Sequence, residues 1–224
     1  PAMQALVAEF RKQAVDTEVS MMTGSSRTLS ADIRRGVPID IFFAANLSYP
    51  ARLSDDGLTA GPPVVYARNE LVLWTLLPGA VAPTLDLLAD RRMHVVAIPS
   101  RYSSPFGQRA EQALREAHVW SKLQAKLVTG ESVLEVARFV KTGSASVGIV
   151  TRSVLFRREF AGLGTSAPIS AEYYRPIAQA YVVTRHGSAN PGAQAFAEFM
   201  GSAPARAILE QHGYLSPDGA VAGK

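Results

Sequence analysis

Thr23-Gly24-Ser25-Ser26-Arg27-Thr28-Leu29 stands between an alternating run at 18–22 and a helical pattern at 28–35. Glycine in such a turn lets the backbone approach closely, and Ser25 and Ser26 supply hydroxyl donors. The helix opening near Arg27 or Thr28 presents free N–H groups and the positive end of its dipole. No acidic residue stands in the turn to repel an anion. Two readings fit these residues: a seat for an anion at a helix start, or an ordinary N-cap, for which Ser and Thr are common side chains.

Outward from this turn the chain alternates between helical and extended patterns. Upstream, Pro1 suits a first helical position, with Met3, Leu6, Val7 and Phe10 at helical spacing, and Val19 and Met21 alternate with polar neighbours as a strand. Downstream, Leu29 and Ile33 make a short amphipathic helix stopped by Gly36, 39–45 reads as a buried strand, and 49–56 as a helix ended by Gly57. Gly61-Pro62-Pro63 is a break before strands at 64–66 and 70–76, which Pro78 and Gly79 close. The middle of the chain repeats the scheme: helix 84–88, strand 95–98, helix from Phe106 or Gly107 to Ala117, helix start at Gly130-Glu131-Ser132, strand 147–150. The final third reads as strand 175–184, a helix opened by Asn190-Pro191, a last helix at 203–211 and a frayed tail. This alternation predicts an α/β fold with mostly parallel sheets, whose ligands bind at strand carboxyl ends near helix starts.

The chemistry available is narrow. The chain has 224 residues, 47% of them apolar, and a formal charge of +4 with no cysteine, so disulfides, thiolate catalysis and zinc-cysteine sites are absent. Apolar runs such as 71–77 fall short of the roughly 18–20 residues that span a bilayer. Lys and Arg are spread along the chain, which argues against a nucleic-acid partner. His94, His118, His186 and His212 are far apart, and the span from Gly143 to Gly148 has phosphate-loop spacing without the Lys and Ser/Thr that must follow. No Gly-x-Ser-x-Gly elbow occurs, and Asp55-Asp56 beside Gly57 reads as a solvated turn. These residues point to a binder and not to an enzyme, with no cofactor and no bound metal cation.

Five ordered stretches add a resemblance. Gly24-Ser25-Ser26-Arg27-Thr28-Leu29 with Gly36-Val37-Pro38-Ile39-Asp40-Ile41-Phe42, Ser104-Pro105-Phe106-Gly107 ahead of Ala110-Glu111-Gln112-Ala113-Leu114, Gly130-Glu131-Ser132-Val133, Val147-Gly148-Ile149-Val150, and Pro176-Ile177-Ala178-Gln179 with 203–214 keep one order over nearly the whole chain. Together they resemble the periplasmic molybdate-binding proteins of molybdate ABC transporters. The resemblance implies a two-lobed, periplasmic-binding-protein-like fold with a two-strand hinge: 1–70 and 176–224 as one lobe, 71–175 as the other, and crossover strands near Glu70 and Arg175. It implies a tetrahedral oxyanion, molybdate or tungstate, held between the lobes by the Ser26 hydroxyl and amide and by the backbone N–H groups of Phe106 and Val133. From periodicity alone the side chains of Phe106 and Val133 read as core, and the resemblance concerns only their amides.

Other expectations follow from the same resemblance. They are a monomer in the periplasm, an ABC permease as partner, and a strand with a further hydroxyl-bearing loop upstream of Pro1. Where the family often has a Tyr hydroxyl this chain has Thr151, which reaches the anion through water or not at all. Arg27 replaces a usually small residue and is expected to point to solvent. An anion-sensing effector domain of a transcription regulator shares the lobed architecture and stands as the alternative. A fully ionised oxyanion offers acceptors only, so neutral donors and helix starts favour molybdate, tungstate or sulfate over hydrogen phosphate.

Overall fold

The computed structural model describes residues 1–78, 82–175 and 177–218, so Gly79, Pro176 and the tail from Gly219 lie outside it. In chain order the elements are α1 (Ala2–Phe10), α2 (Ser26–Arg34), β1 (Ile41–Ala44), α3 (Ser48–Asp55), β2 (Val64–Asn69), β3 (Leu71–Thr75), β4 (Val96–Pro99), α4 (Pro105–Glu116) and α5 (Trp120–Leu123). There follow β5 (Leu127–Gly130), α6 (Val133–Lys141), β6 (Val147–Thr151), α7 (Arg152–Leu155), β7 (Thr165–Pro168), β8 (Ile177–Val183), α8 (Pro191–Met200) and α9 (Ala203–Gln211). The chain divides into two compact units, Pro1–Arg68 with the described residues from Ala178 onward, and Asn69–Ile177.

The first unit is built on a three-stranded sheet of order β1-β8-β2, with β1 and β8 antiparallel. Successive side chains of a strand face opposite ways, so β1 feeds two cores. Phe42 and Ala44 pack with Ile33 of α2, Leu53 of α3 and Val182. Ile41 and Phe43 pack on the other side, against α1, α8 and α9. There Phe10 meets Phe196 edge-on at 5.0 Å and Phe43 lies 5.1 Å from Tyr181. α2 stops where Gly36 takes φ +85°, a left-handed conformation that glycine adopts without strain.

The second unit holds a five-stranded sheet of order β5-β4-β6-β3-β7. β4 pairs parallel with β5 and β6, and β3 runs antiparallel to β6 and β7. Four of the five strands therefore point the same way and β3 alone is opposed, which is the mostly parallel arrangement that the alternating pattern predicts. β3, β4 and β6 are buried along their whole length, as strands covered on both faces are. α6 sets Val136, Ala137 and Val140 against Ala97, Val150, Val72 and Trp74. Because β4, β5 and β6 run in parallel, their carboxyl ends, Pro99, Gly130 and Thr151, share one edge of the sheet, and each leads toward a helix start.

Three local expectations are corrected. Residues 18–22 form no strand: Met21 and Met22 are both exposed, and the run meets no ladder partner among the described residues. α2 begins at Ser26, ahead of Arg27 or Thr28, because the Ser25 hydroxyl caps the Thr28 N–H. The helix expected at 84–88 is a 3-10 helix over Asp86–Ala89, in which the buried Leu88 stands three residues after the buried N-cap residue Leu85, the repeat of that helix.

Candidate functional site

In the first unit, the start of α2 meets the carboxyl end of β1. Ser25, the N-cap, accepts the Thr28 N–H at 3.0 Å and lies 2.8 Å from the Thr28 hydroxyl. Ser26 follows as the first helical residue, and its Oγ accepts the Ala45 N–H at 3.1 Å. That bond fixes the Ser26 side chain at the strand end while leaving its own O–H to donate. The N–H groups of Ser26 and Arg27 have no acceptor among the described residues. No acidic residue occupies the first turn of α2, and Arg27 is exposed. Ser25 thus caps the helix, while the Ser26 hydroxyl, set at the end of β1, donates to no group among the described residues.

In the second unit, Phe106 and Val133 stand at the starts of α4 and α6. Ser104 caps α4, with Pro105 at its first position, where a missing N–H costs nothing. The Ser104 hydroxyl, itself buried, accepts the Phe106 N–H at 3.2 Å, so this amide already has a protein partner. Ser132 caps α6 by accepting the Glu135 N–H at 3.2 Å, and Glu135 reaches back to accept the Glu131 N–H at 2.6 Å. The N–H groups of Val133 and Leu134 have no acceptor among the described residues. Two bonds draw the loops before these helices together: Ser100 N–H to the Gly130 carbonyl at 2.7 Å, and Ser103 hydroxyl to the Glu131 carbonyl at 2.9 Å. Gly107 makes the docking of α4 possible, since a Cβ there would overlap the Pro99 and Ser100 carbonyl oxygens.

Thr151 ends β6 and is 1% exposed, with its hydroxyl 3.3 Å from that of Ser153. Ser153 in turn accepts from the buried Asn69 amide at 2.6 Å, and the adjoining Arg152 pairs with Glu70 at 3.1 Å. The Thr151 hydroxyl is held inside this network. Sequence reasoning passed over Ser103, Ser104 and Glu135. The last two carried readable signals, since Ser104 directly before Pro105 has the order of an N-cap and first helical residue, and Ser132 followed three residues later by Glu135 has the spacing of a capping box. Among the described residues no group of three or more His, Cys, Asp or Glu could hold a metal ion, and no helix is long and apolar enough to cross a membrane.

Hydroxyl and amide donors at helix starts, set at the ends of strands in a two-unit α/β chain, define a solute-binding protein. The chain belongs to the bacterial extracellular solute-binding protein family, which matches residues 1–215. Its relatives include the molybdate-binding protein ModA of Rhodobacter capsulatus, 31% identical over 199 residues that span 88% of this chain and 77% of that protein. ModA of Azotobacter vinelandii is 29% identical over 215 residues, 95% of this chain and 84% of the relative. The solved structure of the Azotobacter vinelandii periplasmic molybdate-binding protein matches with a TM-score of 0.85 at 29% identity, covering 97% of this chain and 95% of that one.

Proposed function

We propose that this chain binds molybdate or tungstate as a tetrahedral oxyanion and delivers it to the permease of an ABC transporter. In this reading it works in the periplasm as a monomer, catalyses no reaction, and needs neither a cofactor, a resident metal cation nor nucleic acid. The observation that carries the proposal is Ser26, whose hydroxyl is oriented by the Ala45 amide and keeps its proton for an acceptor at a helix start free of carboxylates. The naming of relatives along nearly the full chain as molybdate-binding supports the same ligand.

Ser26 would donate its hydroxyl and N–H, and Val133 its free amide. Phe106 would turn its N–H from Ser104 to an anion oxygen or share it between the two. Ser25 supports Ser26 by capping the helix, and Thr151 acts only through the Ser153 and Asn69 network. Such a set offers several donors and no carboxylate, so it suits an ion that has acceptors alone and gives the proton of hydrogen phosphate no charged acceptor. Calorimetric titration with molybdate, tungstate, sulfate and phosphate tests the proposal. Molybdate and tungstate are expected to bind well and phosphate far more weakly near neutral pH. Tighter phosphate binding, or no heat with either metal oxyanion, overturns it.

A further inference from the structure

We propose that Ser103 is a positioning residue that sets which oxyanion is preferred, by fixing the separation of the α4 and α6 starts; the inference rests on the anion-binding reading above. The two amides assigned to the anion belong to different helices, so the distance between them depends on how the loops ahead of those helices are joined. At the base, Pro99 pairs with Gly130 in the sheet and the Ser100 N–H reaches the Gly130 carbonyl at 2.7 Å. At the tip, the one cross-link between the loops is the Ser103 hydroxyl, 2.9 Å from the Glu131 carbonyl oxygen, among the described residues.

Both ends of that cross-link are themselves held. The peptide N–H of Glu131 is taken by the Glu135 carboxylate at 2.6 Å, and the Glu135 N–H is capped by Ser132, so Glu131 moves with α6. On the other side, Arg101 pairs with the buried Glu111 of α4 at 2.8 Å, and the Gln108 side chain reaches the Arg101 carbonyl, so the loop carrying Ser103 moves with α4. Gly107 seats the first turn of α4 directly on the carbonyls that end β4. Ser103 therefore joins two rigid pieces, each of which carries one donor amide. Molybdate and tungstate have longer bonds to oxygen than sulfate does, so two donors at a fixed spacing fit one class of ion and not the other. Without the cross-link the starts can close onto a smaller ion.

The test is a titration of the intact chain and of Ser103→Ala and Ser103→Thr with molybdate and sulfate, with melting temperature measured alongside. In Ser103→Ala the preference for molybdate over sulfate is expected to fall about two- to tenfold, the range of one neutral hydrogen bond. Ser103→Thr keeps the hydroxyl and is expected to keep the preference. An unchanged ratio in Ser103→Ala, or an equal loss for both ions, overturns the role of Ser103 while leaving the anion-binding reading intact. Failure of the unmodified chain to bind either ion is the separate outcome that removes that reading and this inference with it.

Discussion

Ser25 and Ser26 are neighbours of the same type with different work, because one hydroxyl faces along the helix and the other faces the end of β1. Removing the Ser25 hydroxyl strips a cap, and Ser25→Ala is expected to lower unfolding free energy by about 1 kcal/mol with little effect on anion affinity. Ser26→Ala removes a donor to an ion, and is expected to weaken molybdate binding by about 1.5–3 kcal/mol, the usual range for a hydrogen bond to a charged group. Denaturant titration and calorimetry on the two variants separate these effects. Equal binding losses would mean that Ser25 also touches the anion. From the residues themselves both serines were visible as cap or donor, and only the family resemblance assigned the donor to Ser26. The choice depends on Ala45, nineteen positions on, whose amide reaches Ser26 only because β1 ends beside the start of α2.

At the scale of elements, legibility follows burial. α9 matches the expected bounds, and α4 and α6 were read within a residue or two, because their apolar positions recur at helical spacing against a sheet. β5, β7, α5 and α7 went unread. β5 and β7 are the edge strands of their sheet, with Val128 and Thr129 exposed in one and a Thr-Ser-Ala-Pro run in the other, so ladder bonds hold them where no alternation marks them. α5 and α7 have four residues each, too few for a period to show. The converse error at 18–22 has the same cause: alternation without a partner strand does not make a strand. Gly107 gives the sharpest element-scale prediction. In Gly107→Ala the new methyl must displace α4 from the Pro99 and Ser100 carbonyls, which is expected to cost about 1–3 kcal/mol of stability. The same shift moves the Phe106 amide, so molybdate affinity is expected to fall with it. An unchanged melting temperature would show that α4 can re-seat without strain.

For the molecule as a whole, the α/β class was legible because helical and extended periods alternate along the chain, and the opposed direction of β3 was not, since no pattern in Leu71–Thr75 encodes which way a buried strand runs. Burial also governs how the folded chain meets alkaline pH. Burial pushes the Tyr66 phenol well above its ordinary 10.0, aided by neighbouring Tyr214, and Tyr174 and Tyr181 are raised in the same sense. For Tyr174 the Leu71 N–H bond opposes the rise and the charge of Glu70 adds to it. A folded state that keeps a proton which the unfolded state has lost is penalised by each further rise in pH. The stability tied to these phenols is therefore complete below pH 10.0 and declines as pH climbs through and beyond that value. Tyr66 alone is expected to contribute a slope approaching about 1.4 kcal/mol per pH unit there. Tyr66→Phe leaves the Gln179 side-chain oxygen, now 2.8 Å from the phenol, without its donor and lowers stability at neutral pH by about 1 kcal/mol, yet flattens the alkaline decline. Unfolding free energies of the two proteins measured from pH 7 to 11 decide the point, and parallel declines would assign the alkaline sensitivity to groups other than Tyr66.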